Sequence, residues 1–219
     1  YVIHLADTKN KKNLKVKSVS NKNINLIFAK NIIAACLKLE NLKKFIFLGS
    51  CDEYGNNNFF VNEKNSPRPV KYYGKYKQKI TNEIIKAKKK HNLPIMILRP
   101  SVVYGPGQDN KMFIPTMIRC YKNKKILKMG LGNQYRDFLY IDDLITGIIK
   151  ALISKNLKMK NDIFNLSYGK SHQIIEVVEI FRKLIQTRKN DHLFTKVNPK
   201  MRDLCTYYFI DNKKSSRDS

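Results

Sequence analysis

Between Leu48 and Lys77 the chain reads L-G-S-C-D-E-Y-G, then a polar stretch rich in Asn and Pro, then V-K-Y-Y-G-K-Y-K at the head of a long helical pattern. An apolar run that stops at a serine predicts a buried strand with Ser50 at its carboxyl end. Tyr73 and Lys77 are four residues apart, so a helix carries both on one face. With a second apolar strand at Ile95 to Leu98, this order of strand, loop, helix and strand restricts the chain to an α/β arrangement. Open α/β sheets bind ligands at the carboxyl ends of their strands, and Ser50 falls at such an end.

A hydroxyl, a phenol and an ammonium meeting there have a definite chemistry. A free phenol ionises near pH 10, and a lysine close by favours the phenolate. The expectation is therefore that Lys77 makes Tyr73 a usable base near neutrality, with Ser50 hydrogen-bonding the oxygen whose proton Tyr73 moves. The Y-x-x-x-K spacing alone is weak, because 12 tyrosines in a lysine-rich chain give about two such pairs by chance. Two occur, Tyr73/Lys77 and Tyr121/Lys125, while Tyr72 has Tyr76 four residues on. Only Tyr73/Lys77 follows a strand ending in serine and opens a helix.

At 219 residues with 42% hydrophobic content, the chain can bury a real core as one large domain or a domain plus a lobe. No apolar run approaches a membrane span and no signal-peptide pattern is present, so a soluble, cytoplasmic protein with no membrane association is expected. The cysteines, at 36, 51, 120 and 205, lack C-x-x-C or zinc-site spacing and read as free thiols with no metal site. The formal net charge of +26 invites a nucleic-acid reading, but the lysines are spread through every segment instead of clustering on an arm or face, which favours a solvated, compositionally biased surface.

Taken in order, Val2 to Ala6 predicts a buried strand, with His4 as a histidine beside the sheet. Lys9 to Lys22 predicts a solvated loop and Asn25 to Leu39 a helix, in which Asn25 is either an N-cap or a residue near the site. Lys44 to Gly49 predicts a strand, Asn56 to Val70 a Pro- and Asn-rich loop, and Tyr73 to His91 a helix. Arg99 to Gln108 reads as a turn-rich loop, Lys111 to Tyr121 as amphipathic, and Ile126 to Met129, Asp137 to Tyr140 and Asp162 to Leu166 as strands. Helices are expected at Asp142 to Ser154 and Ser171 to Lys189, and a frayed end at Lys213 to Ser219.

V-I-H-L-A, G-S-C-D-E-Y-G, Y-G-K-Y-K, L-R-P-S-V-V-Y-G-P-G-Q and Q-Y-R-D-F-L-Y-I-D-D-L occur in this order, and the set resembles the extended short-chain dehydrogenase/reductases, more narrowly the NAD-dependent epimerase/dehydratase group acting on nucleotide-sugars. The resemblance implies a Rossmann-like, doubly wound parallel sheet with a smaller C-terminal α/β substrate lobe, divided near residues 1–110 and 111–219 and interleaved. It implies NAD or NADP as cofactor, NAD being favoured, a nucleotide-sugar substrate, and a homodimer through the helices at Asn25 to Leu39 and Tyr73 to His91. Ser50, Tyr73 and Lys77 match the catalytic triad. Leu5, Ala6, Asn25, Pro100 and Val103 match positions along the cofactor. Val102, Phe113, Arg136 and Arg202 match substrate-side positions, Val102 replacing an asparagine that the family commonly has. None of the nine glycines forms G-x-G-x-x-G or G-x-x-G-x-x-G, so the chain reads as a fragment lacking the Gly-rich cradle.

Cys51 and Asp52 stand where the 4,6-dehydratases of the group carry an acidic pair, and a thiol is a poor acid for eliminating water. The primary expectation is an epimerase or 4-keto-reductase, with a 4,6-dehydratase using Asp52 as the alternative. A catalytically silent, cofactor-sensing or scaffold relative, or an inactive fragment, competes from another class. A basic nucleic-acid module rests on the net charge alone.

Overall fold

The computed structural model describes residues 1–7, 21–56, 60–154, 163–185, 195–197 and 209–210. Most of the lysine-rich stretch 9–22, together with Asp162, Arg202, Cys205 and residues 213–219, lies outside them. In order, the first half of the chain forms β1 (Val2–His4), α1 (Asn21–Cys36), β2 (Phe45–Leu48), a 3-10 turn (Cys51–Glu53), β3 (Phe60–Val61), α2 (Tyr72–His91), β4 (Ile95–Pro100) and β5 (Val102–Tyr104). The second half forms α3 (Phe113–Lys122), β6 (Leu127–Met129), β7 (Tyr135–Tyr140), α4 (Ile141–Ile153), β8 (Ile163–Leu166), β9 (Ser171–Gln173), α5 (Ile174–Ile185), β10 (Thr195–Val197) and β11 (Phe209–Ile210).

The main sheet is parallel, in the order β1-β2-β4-β8. Its central strands are apolar on both sides, the pattern of a sheet covered on both faces. Alternation along β2 and β4 sends Phe45, Phe47, Ile95 and Ile97 to one face, against Ala29 and Ile33 of α1 and Ile80 and Ile84 of α2. Ile46, Met96 and Leu98 point the other way, against Leu144, Ile148 and Ala151 of α4. Truncating one of these fully buried side chains to alanine costs about 2–5 kcal/mol. A second core holds the lobe together, where Met117 of α3, Leu127 and Met129 of β6, and Ile174 and Val178 of α5 are buried. There β5, β7 and β9 form a small mixed sheet, β5 parallel and β9 antiparallel to β7.

Three expectations need correction. The helix expected from Asn25 starts a turn earlier, at Asn21, and ends at Cys36, so Asn25 is not an N-cap. Its buried amide donates instead to Asp7 Oδ1 at 2.6 Å. The helix expected from Ser171 starts at Ile174, because residues 171–173 pair with β7. The first donors of α5 are then taken by the loop before β7, Ile174 N–H by the Gln134 carbonyl and Ile175 N–H by that of Gly132. Within the expected loop 99–108, β4 runs on to Pro100 and the β-branched Val102 and Val103 open β5 alongside β7.

Lys44 is buried just before β2. Its ammonium donates to the carbonyls of Ala151 at 2.6 Å, Leu152 at 3.2 Å and Ser154 at 2.9 Å. A cation at a helix C-terminus satisfies orphan carbonyls and complements the helix dipole, so this contact ties α4 to the sheet. Lys44→Met, which keeps the aliphatic stem, is expected to lower the unfolding free energy by about 1.5–3 kcal/mol, measured by urea denaturation.

Candidate active site

Ser50 stands two residues past the end of β2 and caps the 3-10 turn. Its Oγ accepts from Asp52 N–H at 3.1 Å, and its own N–H donates to Glu53 Oε1 at 2.9 Å, a reciprocal capping box. One lone pair of the hydroxyl is thus occupied by the backbone and its position is fixed from both sides. The turn is pinned from beneath by an ion pair: Arg99 Nη2 and Nε donate to Glu53 Oε2 at 2.7 and 3.1 Å, with side chains 1% and 0% exposed. The guanidinium also lies 4.6 Å from the Tyr54 ring centroid. Burial works against its charge, but Glu53 and Tyr54 outweigh that and hold it above its usual range.

Tyr73 and Lys77 stand on the first turns of α2, which meets the 3-10 turn through Gly74. A Cβ there would lie 2.2 Å from the Asp52 carbonyl oxygen, so only glycine lets α2 approach closely enough to set Tyr73 beside the Ser50 turn. Lys77 is buried, donates to the Leu48 carbonyl at 3.1 Å, and has its Nζ 5.8 Å from the Tyr73 ring centroid. The expected depression of the Tyr73 phenol by Lys77 is not what the site does. Burial first, then the charges of Asp7 and Asp52, push its pKa well up. Among the charges Asp7 contributes most; its Oδ2 lies 3.4 Å from Lys77 Nζ and takes the Tyr76 hydroxyl as well. His4, behind it, is held neutral by burial and by the nearby Lys77.

An open cavity of about 810 Å³ at the carboxyl edge brings together Ser50, Asp52, Tyr73 and Lys77 with Leu5, Pro100, Val102 and Val103. Four other candidates are absent from its wall. Ala6 does not line it, Asn25 lies behind Asp7, and Phe113 packs into the lobe core while its neighbour Met112 faces the cavity. Arg136 sits on β7 with its guanidinium on the Tyr135 carbonyl at 2.6 Å. Cys51 is fully buried, and burial together with Asp52 raises its thiol far out of acid–base range. Tyr121 of the second Y-x-x-x-K pair is packed edge-on against Phe181 at 5.7 Å. No group of His, Cys, Asp and Glu able to hold a metal occurs among the described residues.

Sequence reasoning missed Glu53, Arg99, Gly74 and Asp7. For Glu53 a signal was present, since S-x-x-E is the capping-box pattern. For the others none was, because each acts through an approach that only the fold creates.

A doubly wound parallel sheet with serine, tyrosine and lysine at its carboxyl edge defines a Rossmann-like protein of the extended short-chain dehydrogenase/reductase type. Residues 1–167 match the NAD dependent epimerase/dehydratase family, and the chain belongs to it. A candidate UDP-glucose 4-epimerase of Methanocaldococcus jannaschii is 32% identical over 197 residues, which are 85% of this chain and 61% of that protein. The dTDP-D-glucose 4,6-dehydratase of Dictyostelium discoideum is 31% identical over 158 residues, 66% of this chain and 36% of that one. The crystal structure of UDP-glucuronic acid 4-epimerase from Bacillus cereus, in complex with UDP-glucuronic acid and NAD, superposes with a TM-score of 0.79 at 28% identity, covering 90% of this chain and 61% of that chain. The chain thus spans between about a third and three-fifths of the length of these proteins.

Removing either partner of the buried pair strands the other charge. Glu53→Ala and Arg99→Met are each expected to lower stability by about 3–5 kcal/mol; urea denaturation reads this. A loss below about 1 kcal/mol, the range of exposed pairs, would show that the pair does not anchor the turn.

Proposed function

We propose that the protein is an NAD(P)-dependent nucleotide-sugar epimerase or 4-keto-reductase. The observation that carries this is the meeting of Ser50, Tyr73 and Lys77 on one open cavity at the carboxyl ends of the strands. The cavity suits the nicotinamide end of a dinucleotide: Leu5, Leu48, Pro100 and Val103 give an apolar wall for a ring, and Lys77 gives a donor for ribose hydroxyls. The 219 residues contain no Gly-rich fingerprint for the pyrophosphate, so the fit is to that end alone. A bound nicotinamide supplies hydride transfer. NAD is favoured over NADP because the epimerase structure above 25% identity holds NAD.

The protein's own part is to move one proton and to orient one oxygen. Tyr73 Oη exchanges a proton with the reacting sugar oxygen. The Ser50 hydroxyl, its oxygen held by Asp52 N–H, donates to the same atom. Burial and the nearby carboxylates favour the protonated phenol, the form that donates to a keto oxygen; taking the proton of a 4-hydroxyl, the first half of epimerisation, calls for the phenolate, which Lys77 and the positive ring of an oxidised nicotinamide would favour. Epimerisation and 4-keto reduction need no further acid. Elimination of water does, and there the first of the two positions is the buried thiol of Cys51, so Asp52 is the one carboxylate of that pair. That single carboxylate supports a 4,6-dehydratase as the second reading.

Residues 1–110 supply most of the cofactor side, and residues 111–219 most of the substrate side. A homodimer through α1 and α2 is supported by exposed Ile27 and Phe28 on α1, Leu37 just after it, and Tyr72 on α2. No described helix is long and apolar enough to cross a membrane. The described cysteines, Cys36, Cys51 and Cys120, are all free, as in a reducing cytoplasm.

Incubating the full-length protein with NAD and UDP-glucose, UDP-glucuronic acid or dTDP-glucose is expected to give the 4-epimer, resolved by proton NMR. Tyr73→Phe is expected to lower kcat about 10²–10⁴-fold. Unchanged turnover in that variant removes the mechanism, while a 4-keto-6-deoxy product that disappears in Asp52→Asn selects the dehydratase reading.

A further inference from the structure

Asp7 follows β1 at the rim of the sheet, and three side chains from two helices close on it. Asn25 of α1 donates to Oδ1 at 2.6 Å. Tyr76 of α2 donates to Oδ2, and the Lys77 ammonium lies 3.4 Å from that same oxygen. The carboxylate is only 13% exposed, lines the cavity, and is held from both oxygens so that it cannot swing into solvent. A carboxylate this close takes up the field of the ammonium, which otherwise falls on the phenol one helical turn away.

We propose that Asp7 is a positioning residue that engages the Lys77 ammonium and thereby sets how readily the Tyr73 phenol gives and takes its proton. The inference rests on the reading of Tyr73 as the proton-transferring group. Every charged or titratable neighbour of the phenol is consistent with it. His4 on β1 is neutral. Asp52, Cys51 and Glu53 on the 3-10 turn, with Asp7, oppose ionisation of the phenol, and burial opposes it most. Tyr76 is itself pushed up, by burial and by its bond to Asp7. Tyr104 and Asp109 line the far wall. Lys77 is the only cation among the residues lining the cavity, so Asp7 competes with the phenol for the one charge there that favours ionisation.

The signs follow directly. Asp7→Asn removes a negative charge beside the phenol and ends its pairing with the ammonium, and both changes favour phenolate, so the phenol titrates at lower pH. Tyr76→Phe removes a hydrogen bond from Asp7 but leaves its charge, so the Tyr73 titration does not move down.

The test is a pH titration of the full-length protein labelled at tyrosine Cζ with carbon-13, read by NMR, with the Tyr73 resonance assigned by its loss in Tyr73→Phe. In the wild type the resonance is expected to stay flat through the range in which a free phenol titrates, and in Asp7→Asn to begin moving about one to three pH units earlier than in the wild type. Asp7→Ser, smaller and uncharged, serves as a second variant should Asp7→Asn fail to fold, and gives the same shift. A Tyr73 resonance that moves at the same pH in wild type and variants, stays flat in all of them, or shifts as far in Tyr76→Phe overturns the proposal. The readout needs no turnover: a shifted titration in a protein inactive on every nucleotide-sugar would leave Asp7 in this role while ending the enzymatic reading, and an unshifted titration in an active enzyme would do the reverse.

Discussion

Taking a carboxylate and a guanidinium out of water together costs several kcal/mol per ion before any contact is made. Glu53 and Arg99 offset that cost only because every face of the pair is used. Two guanidinium nitrogens share Oε2, Oε1 accepts the Ser50 N–H, and the Tyr54 ring covers the guanidinium. The Tyr54 hydroxyl continues the network to Asn165 Oδ1 of β8 at 2.8 Å. Polar contacts therefore run across the carboxyl ends of three strands, β2, β4 and β8, beneath the serine. An apolar side chain in place of Glu53 could fill the same space, but it could not accept the Ser50 N–H, and the serine would lose one of its two fixed points.

The other half of the site is positioned by shape. α2 is anchored by Ile80 and Ile84 against Phe45, Phe47, Ile95 and Ile97, a contact that fixes the axis of the helix but not the height of its first turn. Gly74 fixes the height, because the helix can sink until its backbone meets the Asp52 carbonyl. The Tyr73 ring rests edge-on to Tyr76 with centroids 5.2 Å apart, a favoured aromatic geometry. One polar network and one missing Cβ thus bring a strand end and a helix start to the same cavity.

How much of this was legible follows from the range over which each signal acts. The strands at β2 and β4 and the helix α2 announce themselves through local periodicity, as does the serine that ends β2. Ser171 to Gln173 did not, because its residues suit a helix start equally well and only pairing with β7 decides. Asn25 was read as capping its own helix or as near the site; its partner proves to be Asp7, 18 residues earlier, across a segment whose length hides the contact. Arg99 looked like the start of a loop because a buried arginine makes sense only once Glu53 is known to lie beneath the neighbouring strand end. Phe113 and Arg136 were carried over from motif positions, and a motif specifies order along the chain but not which way a side chain turns. Here Phe113 turns to the lobe core.

Net charge misleads in the same way. A chain at +26 suggests a site that draws anions by its own cations, yet the residues lining the cavity include Asp7, Asp52 and Asp109 against Lys77 alone. Most lysines among the described residues lie on the exterior, where charge is screened within about 10 Å at ordinary ionic strength. Inside the cavity the balance has the opposite sign, and burial lengthens its reach. That inversion adds to burial, the larger cause, in making Tyr73 harder to ionise than a free phenol despite standing one helical turn from a lysine. Proximity of Lys77 is not enough: Asp7, at 3.4 Å from Nζ, is nearer to that charge than the phenol ring centroid at 5.8 Å, and a carboxylate at that distance offsets the ammonium's field at the phenol.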